Sequence, residues 1–159
     1  TGPTKLKDIP EVDMIRIKTS DDMFSQINQK LETDYIIMNA AVSDYKIENP
    51  HNGKVKKEAS SLNIELVPTV DILDSIKTKT SAKLVGFALE LENGEENALK
   101  KLKSKKLDFI ILNTANNIDQ GFDVDTNQVT IFSKSGEKFK SSLNTKDRIA
   151  NFIWNNIIN

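Results

Sequence analysis

Apolar and polar positions alternate between two periods along this chain. Short apolar runs recur, and stretches with a helical repeat separate them. Met14-Ile15-Arg16-Ile17 reads as a first strand. Ser20 follows as a helix N-cap, with Asp21 and Asp22 suited to the positive end of the helix dipole. Met23, Ile27 and Leu31 repeat every four residues and give that helix one apolar face. The run from Tyr35 to Val42 is nearly continuous and predicts a strand covered on both faces. Leu62 to Val67 alternates and predicts a strand with one wet face. Thr69 caps a helix carrying Ile72, Leu73 and Ile76.

Leu84 to Leu89 and Phe109 to Leu112 are two further buried strands, with a helix from Asn93 to Lys106 between them. That helix is acidic early and lysine-rich late, as the dipole prefers. Gln128 to Phe132 and Lys138 to Lys140 flank Ser135-Gly136-Glu137 and form a hairpin. Thr145 caps a last helix with Ile149, Phe152, Ile153 and Ile157 on its apolar side. The alternation predicts an α/β fold: a Rossmann-like three-layer sandwich with a mostly parallel sheet, plus a C-terminal β-hairpin and helix. A length of 159 residues fits a single domain, 1–159.

Composition narrows the chemistry. A formal net charge of -1 gives no basic field for nucleic acid or an anionic membrane. Absence of cysteine excludes disulfides and thiolate zinc sites, and the single His51 cannot build a histidine metal site. No run reaches membrane-spanning length, and Thr1-Gly2-Pro3-Thr4-Lys5 has no signal-peptide core. The expectation is a soluble, cytoplasmic protein.

Candidate chemistry gathers where strands end. Ala40 and Ala41 are small and close a buried run, leaving room for a base or ribose against the backbone. Asp44 follows, placed either to bind ribose hydroxyls or a cation or to satisfy its own turn. Lys54, Lys56 and Lys57 put three positive charges in four residues; a polyphosphate fits them, and so does a solvated basic turn. Phe87 in Gly86-Phe87-Ala88-Leu89-Glu90 can pack on a ligand or simply fill the core. Lys101 and Lys105 share one helix face, which is a phosphate site or an ordinary lysine-rich helix end. Gly121 to Asn127 reads as a turn rather than a calcium loop. No P-loop, dinucleotide G-x-G-x-x-G or G-x-S-x-G elbow occurs.

Taken in order, these motifs resemble one family, the phosphopantothenate–cysteine ligases (phosphopantothenoylcysteine synthetases). The residues that carry the resemblance are A-A-V-S-D-Y-K from Ala40, K-V-K-K from Lys54, V-D-I from Val70 and G-F-A-L-E from Gly86. Two longer patterns join them, K-L-x-x-K-x-x-D-x-x-x-x-N from Lys101 and G-F-x-x-D-x-N-x-V-T-I from Gly121.

The resemblance implies a reaction of coenzyme A biosynthesis. CTP, or ATP in some relatives, activates 4′-phosphopantothenate as an acyl-cytidylate, and the amine of cysteine then displaces CMP. It implies nucleotide contacts at Ala40, Asp44, Lys54, Val70, Asp71, Ile72, Phe87, Lys101 and Lys105. Lys54 takes a catalytic role at the activated intermediate, and Asp44 holds Mg²⁺. A homodimer and a fused or partner phosphopantothenoylcysteine decarboxylase are implied as well. The family's glycine-rich loop and Asn-x-Ser-Ser-Gly segment have no counterpart here, and Thr69-Val70-Asp71-Ile72 stands where the family has Asn-Pro-Asp-Ile. The expectation is that this chain alone is inactive or severely impaired. A non-catalytic Rossmann-type nucleotide-binding module is the alternative.

Overall fold

The computed structural model describes residues 1–4, 7–51, 53–54, 56, 61–90, 92–114 and 125–158. The chain forms two compact units, one of residues 1–30 and 41–72 and one of residues 31–40 and 73–159.

The first unit holds helix α1 (Ser20–Asn28). Its N-cap is Thr19, one residue before the expected Ser20. The Thr19 hydroxyl accepts from the Asp22 N–H while the Asp22 carboxylate accepts from the Thr19 N–H, a closed capping box. The helix stops at Asn28, so Leu31 lies outside it. Met14 to Ile17 forms no strand. Ile17 N–H donates to the Thr1 carbonyl and the Thr1 amine donates to the Ile15 carbonyl, so one partner residue stands where a ladder needs several. Strands β2 (Tyr45–Ile47) and β3 (Leu66–Pro68) pair antiparallel, Tyr45 opposite Pro68 and Ile47 opposite Leu66. The expected strand over Leu62 to Val67 therefore begins later, at Leu66.

The second unit is built on a five-stranded sheet with order β1-β4-β5-β7-β8 among the described residues. Its strands are β1 (Tyr35–Met38), β4 (Lys83–Glu90), β5 (Phe109–Thr114), β7 (Val129–Ser133) and β8 (Lys138–Lys140). Pairs β1–β4 and β4–β5 are parallel, and the hairpin β7–β8 joins antiparallel beside β5. β1 ends at Met38, shorter than the Tyr35–Val42 run, and it lies at the sheet's edge with Ile37 41% exposed. A strand at the edge has one neighbour, so the expected cover on both faces is only partial.

Side chains alternate between the two sheet faces. On one face Val85, Ile111, Val129 and Ile131 meet Ile149 and Ile157 of α4 (Lys146–Ile157), with Phe109, Phe139, Phe152 and Ile153 around them. Ile111, Ile131 and Ile157 are fully buried, and each contributes roughly 1.5–3 kcal/mol by leaving water. The other face takes helices α2 (Ile72–Ile76) and α3 (Gly94–Ser104). There a Cβ at Gly86 would stand 2.7 Å from Leu107 and 3.4 Å from Leu73, so glycine is what lets these leucines close on β4. Strands β6 (Thr126–Asn127) and β9 (Asn144–Thr145) pair just before α4. Thr69 lies ahead of α2 with its hydroxyl donating to the Ser43 carbonyl, whereas Thr145 stands at the N-cap of α4 as expected but makes no side-chain capping bond.

Asp108 fixes the opposite end of this sheet. Its Oδ2 accepts from the Leu84 N–H at 2.8 Å, and its Oδ1 pairs with Lys134. One carboxylate thus ties β4, β5 and the hairpin turn.

Candidate functional site

Backbone direction places the expected residues of the second unit. Lys83 N–H donates to the Asp34 carbonyl on the β1 side, and Asp108 N–H donates to the Leu84 carbonyl on the β5 side. Carbonyls alternate along a strand, so the Phe87 carbonyl faces the β1 side. The last paired residue of β1 is Met38, opposite Gly86. The Phe87 carbonyl therefore lies just past the end of β1. There the Lys101 ammonium donates to it at 2.9 Å, half-buried. Ala40 is exposed, two residues beyond the end of β1. Ala40, the Phe87 backbone and Lys101 thus belong to one corner, at the carboxyl ends of parallel strands, where open α/β sheets bind ligands. The Phe87 ring turns to the α4 face and packs on its core cluster. Lys105 is half-buried at the C-cap of α3, one turn beyond Lys101.

A second polar group at these strand ends was not singled out as a site residue from the sequence. Asn113, at the carboxyl end of β5 and opposite Leu89, buries its Oδ1 without a partner. A buried orphan acceptor costs about 1–3 kcal/mol and calls for a donor. In the sequence it closes both an apolar strand and the K-L-x-x-K-x-x-D-x-x-x-x-N pattern that begins at Lys101. Glu90, at the end of β4, accepts from Asn97 of α3 at 3.1 Å.

The first unit brings two further motifs together. Thr69 N–H donates to the Asp44 carbonyl at 2.9 Å, and the Thr69 hydroxyl donates to the Ser43 carbonyl. This double link sets Asp44 beside the Val70-Asp71-Ile72 turn. Asp44, Val70 and Asp71 are exposed and Ile72 is buried. Lys46 pairs with Asp21 at 2.6 Å in the first turn of α1. Lys54 is exposed; Val55 and Lys57 of the same motif lie outside the described residues, as do Gly121 to Val124. Among the described residues no group of three or more His, Cys, Asp or Glu side chains gathers to hold a metal. No helix among them is long and apolar enough to cross a membrane.

Parallel strands between helical layers, with a lysine and an orphan amide at the strand ends, define an α/β protein whose polar groups collect where such sheets bind ligands. The family profile of the DNA/pantothenate metabolism flavoprotein C-terminal domain matches residues 1–159, and the chain belongs to that family. The coenzyme A biosynthesis bifunctional protein CoaBC of Bacillus subtilis (strain 168) is 37% identical over 142 residues, covering 87% of this chain and 35% of its own length. A protein named cysteine/cysteine sulfinic acid decarboxylase, from an unknown prokaryotic organism, is 35% identical over 154 residues, 94% of this chain and 43% of its own. The chain thus spans less than half the length of either relative. A crystal structure of the C-terminal domain of coenzyme A biosynthesis bifunctional protein CoaBC matches with a TM-score of 0.80 and 33% identity, over 98% of this chain and 69% of that one. The β1-β4-β5 parallel core with helices around it is the fold they share.

Proposed function

We propose that this chain carries the nucleotide-dependent ligation of cysteine to 4′-phosphopantothenate in coenzyme A biosynthesis, with CTP as the activating nucleotide. The observation that carries the reading is the Lys101 ammonium held on the Phe87 carbonyl at the carboxyl ends of β1 and β4. A cation stationed there suits a polyphosphate, and membership of a pantothenate-metabolism family supports the reading.

In this reading the substrate carboxylate attacks the α-phosphorus of CTP and releases pyrophosphate. The amine of cysteine then attacks the acyl carbon and releases CMP, leaving an amide. Lys101 and Lys105 take the leaving phosphates and offset the charge that builds on them. Lys54 serves the activated carboxylate. Ala40 admits the nucleotide to the backbone, the Phe87 segment supports it, and Val70, Asp71 and Ile72 line its turn. Asp44 offers one exposed carboxylate, a donor set that fits Mg²⁺ shared with phosphates rather than caged by protein alone. When bound, that ion neutralises phosphate charge. Positioning does most of the rest. A homodimer and a fused or partner decarboxylase complete the proposed assembly, located in the cytoplasm.

The test is calorimetry of the protein against CTP, ATP and NADPH, together with mass-spectrometric detection of the amide, CMP and pyrophosphate. Saturable CTP binding is expected, with amide formed only slowly by this chain alone. Binding of CTP with no trace of amide favours a non-catalytic nucleotide-binding module, and no binding of either triphosphate overturns the reading.

A further inference from the structure

Charge pairing around α3 runs against burial. Glu95 and Glu96 are exposed, and each holds a lysine: Lys138 at 2.6 Å and Lys100 at 2.7 Å. Glu90, which closes β4, is half-buried, yet among the described residues no lysine or arginine pairs with it. Its partner is a neutral amide: Oε2 accepts from Asn97 Nδ2 at 3.1 Å. Asn97 also donates to the Glu92 carbonyl at 3.4 Å, so the amide is fixed from two sides. A carboxylate drawn partly out of water needs a countercharge more than an exposed one does. The N-terminus of α3 supplies part of it, since the Glu90 Cβ lies 3.4 Å from where a Cβ on Gly94 would stand. A full positive charge is left for a ligand to bring.

The surroundings say which ligand. Asn97 and Lys101 stand one turn apart on α3 and share a helix face. The carboxylate clamped by Asn97 thus sits beside the ammonium that Lys101 holds on the Phe87 carbonyl. The unpaired Oδ1 of Asn113, opposite Leu89, marks the same strand ends one register step before Glu90. In the ligation the attacking α-amine arrives at neutral pH as an ammonium. Lys101 and Lys105 repel that charge, so an anion close to them must receive it. We propose that Glu90, held in place by Asn97, is the subsite for the ammonium group of the amino-acid substrate. The inference rests on the ligase reading and gives the nucleophile its place within it. A plain tie between β4 and α3 would need only an acceptor at position 90, and glutamine supplies one.

NMR titration of the whole chain tests it, with the Asn97 side-chain amide as reporter. One probe is S-methylcysteine, whose thiol is blocked. The other is N-acetyl-S-methylcysteine, which carries no ammonium. The first shifts the Asn97 signal saturably and the second does not. Glu90→Gln keeps an acceptor for Asn97 and loses the charge, so affinity for S-methylcysteine falls at least roughly tenfold. Its CTP affinity by calorimetry and its thermal midpoint stay at the wild-type values. Glu96→Gln, at an exposed acid, leaves S-methylcysteine affinity unaltered. No saturable shift at Asn97, an equal response to the acetylated probe, or unchanged affinity in Glu90→Gln overturns the proposal. When CTP still binds, such a failure sinks this subsite alone; a wild type that binds no triphosphate sinks the ligase reading and the subsite with it.

Discussion

Lys101 of α3 donates to the backbone carbonyl of Phe87 on β4, 2.9 Å away, at the point where β1 leaves the sheet. A neutral carbonyl is a weaker partner for an ammonium than a phosphate oxygen. The bond holds Lys101 at the strand ends, and in the proposed reading an anionic ligand competes for it there.

Lys101→Met keeps the length of the side chain and removes its charge. One charge-assisted bond is worth about 1.5–3 kcal/mol, so kcat/KM for the nucleotide should fall roughly tenfold to a hundredfold. Steady-state kinetics with nucleotide varied reads this. An unchanged kcat/KM removes Lys101 from the proposed site.

Asn113→Leu should move stability and binding in opposite directions. It removes a buried acceptor that has no partner, so the urea midpoint should hold or rise, by up to about 1 kcal/mol of stability. Nucleotide affinity measured by calorimetry should drop. Loss of stability with unchanged affinity would make Asn113 a packing residue.

Gly86→Ala should destabilise by about 1–3 kcal/mol, because its Cβ would stand 2.7 Å from Leu107, which is 1% exposed. Gly94→Ala is the control. Its nearest contacts are ordinary at 3.4 Å, and alanine favours the helix, so the change should be neutral to slightly stabilising. Thermal melts of the two variants compare them directly.

Asp22 is held below the ordinary carboxylate value of 3.8, first by the Thr19 N–H and then by the Lys18 N–H. The folded value is lower than the unfolded one. Its contribution to α1 is therefore complete above pH 3.8 and fades as the pH falls through the folded value. In a two-dimensional NMR titration the Thr19 amide should follow a transition below pH 3.8, and Asp22→Asn should abolish it.

Much of the fold was legible in periodicity. Leu84 to Leu89, Phe109 to Leu112 and the Ser135-Gly136-Glu137 hairpin are strong local patterns, and each appears where expected. Weaker segments moved. The Thr19 cap displaced Ser20 because the capping box needs Asp22 three residues on, a spacing that Thr19 alone meets. Met14 to Ile17 has strand composition, but a strand also needs a neighbouring chain to pair with, and among the described residues the backbone bonds of Ile15 and Ile17 run to Thr1 alone.

The sequence by itself determined the α/β class, the family and the residue types that answer to a nucleotide, since these rest on side-chain period and on motif order. Only the tertiary structure decided which backbone carbonyl Lys101 meets, that the Phe87 ring faces the α4 core, that Asn113 keeps an unpaired oxygen, and that Glu90 meets the Asn97 amide rather than a lysine. Those facts depend on strand register and on which neighbour lies across each sheet face. Pairing partners far apart in the chain fix both, and no local pattern encodes them.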